Sequence, residues 1–220
     1  MDSTRLQAMD VTSLKAVLKD LRKEILPSRF EKALQPETNT LQLGLRTLRG
    51  LIWIELSWQA DAPRLVQIPP PERVGGESTL AKQFQNCLRQ MTLIDLKQRD
   101  FERIVEFQLT SRTGEREQRT LVLELMGRHS NLLLLDQDRR VITLGRKVHN
   151  HESRVRPIGT GDIYVPPPPL KGKKPNQKES FEKWKNSLCL FPSSLKNALQ
   201  TTYQGISPTL ALQLAHEDKE

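Results

Sequence analysis

Between residues 28 and 148 the chain is a succession of short apolar runs broken by turn formers, and this pattern limits the fold more than any other feature. The runs are "RFEKALQ", "TLQLGLRT", "GLIWIELSW", "RLVQI", "TLIDLKQR", "FERIVEFQLTSR", "RTLVLELMG", "NLLLLD" and "RVITLGRKV". They are rich in Leu, Ile, Val and Trp and are punctuated by Pro, Asn or Gly, as strands are. "DQDRR" between the last two reads as a hairpin turn, so the strands run antiparallel. Two segments have helical spacing instead. In "DVTSLKAVLKDLRKEI" the apolar positions are Leu14, Val17, Leu18, Leu21 and Ile25, with Asp10 or Thr12 as cap and Pro27 as terminator. In "STLAKQFQNCLRQM" they are Leu80, Phe84, Cys87, Leu88 and Met91, capped by Ser78. The expected class is α+β: an antiparallel β-sandwich or flattened barrel with two flanking helices.

The composition changes near Tyr164. "YVPPPPLKGKKPNQK" is an extended, Pro- and Lys-rich linker, and the segments beyond it, "SFEKWKNSLCLF", "SSLKNALQTTY" and "SPTLALQLAHEDKE", are helical. The expected division is a domain over 1–168, a linker over 169–178 and a helical segment over 179–220, in a chain of 220 residues. Within the last segment Gly205 lies between two helices, and Ser207-Pro208 opens the second as cap and first-turn proline. This is the pattern of a helix-hairpin-helix, whose free amides suit a phosphate, with Lys196 as a nearby charge; it is equally the pattern of a plain packing motif.

There are 34 Lys and Arg against 26 Asp and Glu, a formal net charge of +8. That balance points first to a polyanionic partner. No basic amphipathic helix with aromatic anchors suggests a membrane surface. The two cysteines, Cys87 and Cys189, make neither a disulfide framework nor a metal motif. No signal-peptide core or spanning run is visible, and a cytoplasmic protein is expected.

The polar chemistry concentrates in "LVLELMGRHSNLLLLD", where Arg128, His129, Ser130 and Asn131 follow Gly127 between two apolar runs. A turn needs Gly and tolerates Ser and Asn, but no turn type needs Arg followed by His. His129 and Ser130 would point to opposite faces, which argues against a nucleophile and base pair. Two readings remain: a preformed corner that binds phosphate, ribose or a base edge, or a polar network bracing two sheets. Upstream, alternation puts Arg103 at the end of the apolar face formed by Val105, Phe107 and Leu109, so its charge must be paired or solvated. His149 and His151 lack a third ligand and read as a polar loop. No phosphate-loop, nucleophile-elbow or dinucleotide pattern occurs. Catalytic residues, metal, cofactor and small-molecule substrate are therefore all assigned as none.

"LELMGRHSNLLLLD" resembles the signature segment of the NFACT family of ribosome-associated quality-control proteins, also called fibronectin-binding protein A-like. "LQAMDVTSLKAVLKDL" with Asp10, "FERIVEFQL", "SRVRPIGTGDIYVPPPP" and the hairpin at Gly205 are similar to further family segments in order and spacing. The resemblance covers nearly the whole chain. It implies an N-terminal domain similar in fold to that of formamidopyrimidine-DNA glycosylases, followed by a helix-hairpin-helix. It implies a factor that binds a large ribosomal subunit holding peptidyl-tRNA and recruits tRNA, alanine tRNA in bacteria. The stalled chain is then extended without mRNA, the ribosome making the bond, so this chain is expected not to be an enzyme. The glycosylase nucleophile, an N-terminal proline, is replaced here by Asp2 and Ser3. The family's Asp-Arg pair is Glu102-Arg103 in this chain, a carboxylate about 1.5 Å further out. The resemblance assigns tRNA binding to Asp10, Glu102, Arg103, Arg128, His129, Ser130 and Asn131, with Asp10 and Glu102 orienting the arginines. It leaves Gly205 and Ser207 to a phosphate-binding hairpin. The alternatives are a fibronectin-binding adhesin and a DNA-binding glycosylase-like domain without catalysis. The chain is read as an N-terminal fragment, without the family's coiled coil.

Overall fold

The computed structural model describes residues 9–72, 78–111, 118–149 and 156–216. Each apolar run forms a strand: β1 (Ser28–Glu37), β2 (Thr40–Thr47), β3 (Gly50–Ser57), β4 (Arg64–Ile68), β5 (Met91–Gln98), β6 (Ile104–Ser111), β7 (Gln118–Glu124), β8 (Asn131–Leu135) and β9 (Val141–Leu144). All neighbours are antiparallel, and they form one nine-stranded sheet in the order β4-β3-β2-β1-β5-β6-β7-β8-β9. The fold is α+β, as expected, but the strands make a single sheet. The join between its halves is narrow: β1 meets β5 only through Ser28↔Leu93 and Arg29↔Thr92. Beyond that seam the side chain of Gln85 takes a strand's place. Its Oε1 accepts from the Ala33 amide at 2.9 Å and its Nε2 donates to the Glu31 carbonyl at 3.0 Å. Phe30, Leu43 and Ile54 of one half and Leu93, Phe107 and Leu121 of the other line one small void, so the sheet closes over its own core.

Two helices flank the sheet. α1 (Val11–Ile25) buries Val11, Leu14, Leu18, Leu21 and Ile25 and packs on β2, β4 and β5. α2 (Thr79–Cys87) is capped by Ser78, buries Ala81 and Phe84, and bridges β1 to β9. It ends earlier than its apolar spacing predicts. Gln90 takes a left-handed turn with φ 64°, and Met91 becomes the first residue of β5. The unbroken "LLLL" of β8 also has a cause. Leu132 and Leu134 enter the main core, whereas Leu133 and Leu135 enter a second one with Ile104, Val122, Val141, Ile158 and Tyr164. A strand buried on both faces has no polar alternation to show.

Three short helices follow, α3 (Phe181–Leu188), α4 (Leu195–Thr202) and α5 (Pro208–Ala215). Leu188 of α3 and Ala198, Leu199 and Tyr203 of α4 and its C-terminal cap form a small core, and α5 packs on α4. The stretch before them runs along α4: the Lys173 amide donates to the Thr202 carbonyl at 2.8 Å, and Lys174 pairs with Asp100 at 2.9 Å. No helix among the described residues is long and apolar enough to cross a membrane.

Candidate nucleic-acid interface

Arg103 sits one residue before β6, and its carbonyl accepts from the Leu125 amide at 2.9 Å. The side chain turns towards the start of α1, where Nη1 donates to the Met9 carbonyl at 3.4 Å. Asp10 is buried there as the cap of α1 and accepts from the Ser13 amide at 2.8 Å and from Thr12 Oγ1 at 2.7 Å. Burial pushes the Asp10 carboxyl up, but the hydrogen bonds from Ser13 and Thr12 more than reverse this and hold it below the usual carboxylate range. Burial pulls the Arg103 guanidinium below its ordinary value, and the charge of Asp10 opposes that shift. Asp10 thus acts on Arg103 through its field, while its oxygens serve the helix. Glu102 faces elsewhere. It is buried, its amide donates to the Arg99 carbonyl at 2.8 Å, and among the described residues it forms no ion pair with Arg103 or Arg128. The structure brings Asp10 and Arg103 together and leaves Glu102 out of the pair.

The second corner begins at Gly127, whose φ of 57° opens a single 3-10 turn over Gly127–His129. Ser130 and Asn131 are both buried. Ser130 Oγ accepts from the Met126 amide at 2.8 Å and closes the turn. Asn131 clamps the backbone of Arg146: Nδ2 donates to its carbonyl at 2.7 Å and Oδ1 accepts from its amide at 2.9 Å. The same oxygen accepts from the Leu132 amide at 2.9 Å. Arg128 and His129 are exposed, and Arg128 Nε donates to His129 Nε2 at 3.1 Å. The four residues therefore divide: Ser130 and Asn131 brace, and Arg128 and His129 are presented.

Glu124, which the sequence reading passed over, stands between the two corners. It is opposite both Ile104 and Asn131 in the sheet and only 1% exposed. Its carboxylate takes a fork from Arg156 at 2.6 and 2.9 Å and the Tyr164 hydroxyl at 2.8 Å. Burial, then the charge of Glu124, drives the Tyr164 phenol far above its ordinary value. Burial works against the charge on Arg156, but the hydrogen bond and charge of Glu124 raise it overall. Arg139 pairs with Glu106 at 2.8 Å and also lies over the Tyr164 ring, its guanidinium carbon 5.1 Å from the ring centre. This network fastens residues 156–165 over the outer face of the sheet. A single acid inside the apolar "LVLELM" was the available signal, since a buried charge demands a partner.

Gly205, with φ 79°, is set against the sheet domain. An added Cβ would lie 3.2 Å from the Phe101 carbonyl and 3.3 Å from Val11 Cγ2. Ser207 caps α5 by accepting from the Leu210 amide at 3.0 Å, with Pro208 in the first turn. The turn at Gly205 thus docks beside the start of α1, next to Asp10. His149 is exposed; His151, Asp2 and Ser3 lie outside the described residues.

Comparison with known proteins places these features in a family. Residues 10–220 match the model of the NFACT N-terminal and middle domains. A curated relative, the Rqc2 homolog RqcH of Streptococcus suis, is 28% identical over 202 residues, covering 90% of this chain. This chain spans 36% of that relative's length. The N-terminal structure of the fibronectin/fibrinogen-binding protein from Streptococcus suis superposes with a TM-score of 0.81 at 25% identity, covering 95% of this chain and 79% of that one. The N-terminal domain of the fibronectin-binding protein PavA from Streptococcus pneumoniae gives 0.79 at 24% identity, over 94% of this chain and 78% of the other.

Proposed function

Because the chain belongs to the family of NFACT N-terminal and middle domains, we propose that it is the RNA-engaging part of a ribosome-associated quality-control factor. In this reading it binds a large ribosomal subunit that holds peptidyl-tRNA and recruits tRNA for mRNA-independent extension of the stalled chain. It acts in the cytoplasm, by positioning rather than by catalysis, and leaves bond formation to the ribosome. The observation that carries this reading is Arg103: a half-buried guanidinium, lowered by burial and steadied by the field of a helix-capping aspartate, without a carboxylate fork of its own among the described residues. Such a group is preorganised for a phosphate or a base edge. The docked hairpin at Gly205, read as a helix-hairpin-helix, adds a capped helix N-terminus on the same side. The likeness to glycosylase N-terminal domains that the sequence resemblance implies is kept as a proposal about fold alone; no base-excision chemistry is proposed.

The test is the RNA that co-purifies with the full-length protein. Enrichment of tRNA and large-subunit RNA is expected, lost in Arg103→Ala and nearly lost in Arg103→Lys, because a point charge does not replace a fork. Melting should move little, since Asp10 keeps its capping bonds without Arg103. A large fall in melting temperature with tRNA recovery unchanged per folded molecule refutes the role of Arg103. The names of the solved relatives favour a second reading, adhesion to fibronectin or fibrinogen. Saturable fibronectin binding with no recovered RNA decides for it.

A further inference from the structure

Several arginines on the sheet domain are spoken for. Arg46 holds Glu31, Arg64 holds Glu55, Arg139 holds Glu106 and Arg156 holds Glu124. Among the described residues Arg128, Arg146 and Lys147 have no such carboxylate. They are also close together for a structural reason. Two glycines grip the loop that follows β3. A Cβ on Gly127 would touch the Ala60 carbonyl at 3.6 Å, and a Cβ on Gly145 would penetrate the Trp58 ring at 2.6 Å. Arg128 and Arg146 each follow one of these glycines, so they flank the loop. Asn131 fixes the interval, being three residues from Arg128 in a tight turn and clamped across the sheet to Arg146. The Asn131 clamp thus ties the segment that carries Arg128 to the segment that carries Arg146.

The groups at this place are also short of acceptors. Arg146 Nε and Trp58 Nε1 are both buried and find no acceptor among the described protein groups. Trp58 is only 3% exposed, and its nitrogen lies beside Gly145. A buried charged donor without an acceptor is costly, and an anion is its natural partner. The stem of Lys147 lies over Gly159, and the carboxylate on that side, Asp162, is engaged by the Gly159 amide at 2.7 Å. Lys147 itself is exposed.

We propose that Arg128, Arg146 and Lys147 form a strip that grips the phosphodiester backbone of RNA, separate from Arg103 and contributing affinity without sequence preference. This rests on the reading that the Arg128–Asn131 corner meets RNA. Three cations without a carboxylate, one of them carried on a segment that Asn131 clamps, suit neighbouring phosphates, which position an RNA without reading it.

The test uses the full chain, fluorescent tRNA and single-stranded poly-U, with binding followed across a salt series. Each phosphate contact contributes about 0.7 to 0.9 to the slope of log affinity against log salt. Arg146→Gln/Lys147→Gln should therefore flatten the slope by about 1.4 to 1.8 on both RNAs. That shrinks the affinity lost between about 50 and 200 mM salt by roughly tenfold. Arg46→Gln/Arg49→Gln at the opposite end of β2 and β3 removes the same charge and should leave the slope unchanged. If the double variant melts early, Lys147→Gln alone should still give half the change. Equal slopes for wild type, double variant and control overturn the strip and leave the broader RNA reading standing, as does an equal flattening in variant and control. Absence of RNA binding by the wild-type chain at any salt overturns both.

Discussion

Asn131→Ala separates bracing from contact at the second corner. The Asn131 side chain is 2% exposed and makes three hydrogen bonds, two to Arg146 and one to Leu132. At roughly 1 kcal/mol for each, their loss costs about 3 kcal/mol, and more if the freed Arg146 and Leu132 groups stay dry. For a domain of this size that lowers the melting midpoint by roughly 6–12 °C. Arg128→Ala removes an exposed side chain whose hydrogen bond is to another exposed residue, and should change stability by no more than about 0.5 kcal/mol. RNA affinity should fall in both variants, for different reasons: Arg128→Ala loses a contact, and Asn131→Ala releases the segment that carries Arg146. Urea unfolding measured beside RNA binding tests this. Equal stability of the two variants, or an Asn131→Ala cost below about 1 kcal/mol, refutes the clamp.

Three further outcomes follow from the structure. The folded-state pKa of Asp10 is depressed, so its charge contributes stability above the ordinary carboxylate range that is lost as pH falls through the lowered value. Asp10→Asn keeps a good cap and should weaken this acid-side loss in urea midpoints taken from pH 5 to 2. Gly145→Ala drives a methyl group into the Trp58 ring and should cost about 1–3 kcal/mol, with a shift in tryptophan emission that Trp58→Phe suppresses. Trypsin should cut first after Lys171 and Lys178, which are exposed, and leave a folded fragment over about 1–165; early cleavage within β6–β9 would count against that boundary.

The strands, both flanking helices and the caps at Asp10, Ser78 and Ser207 were legible because each depends on neighbours in sequence. The role of Glu102 was not. Glu102 and Arg103 lie in the bend before β6 rather than in the strand, so strand alternation does not fix where either side chain points, and the bond from the Glu102 amide to the Arg99 carbonyl that shapes this bend is not announced by the residues. Glu124 escaped notice because its partners, Arg156 and Tyr164, are 32 and 40 residues away, beyond any local pattern. The split within Arg128–Asn131 was hidden for a similar reason. The bond that defines Asn131 as a brace goes to Arg146, and nothing in "GRHSN" announces which strand lies beside it.

The narrow seam between β1 and β5 has a kinetic meaning. β5 to β9 form a meander whose neighbours are joined mostly by short connections, so its pairings cost little loop entropy and can assemble early. Joining β1 to β5 brings together residues more than sixty positions apart and gains only two residue pairs, with a glutamine amide standing in for the rest. That closure is expected late in assembly. The shared core and the two helices that span both halves hold the seam shut, so in the native protein it opens only locally, and the amides around Ser28, Ala33 and Leu93 should exchange ahead of those in the meander.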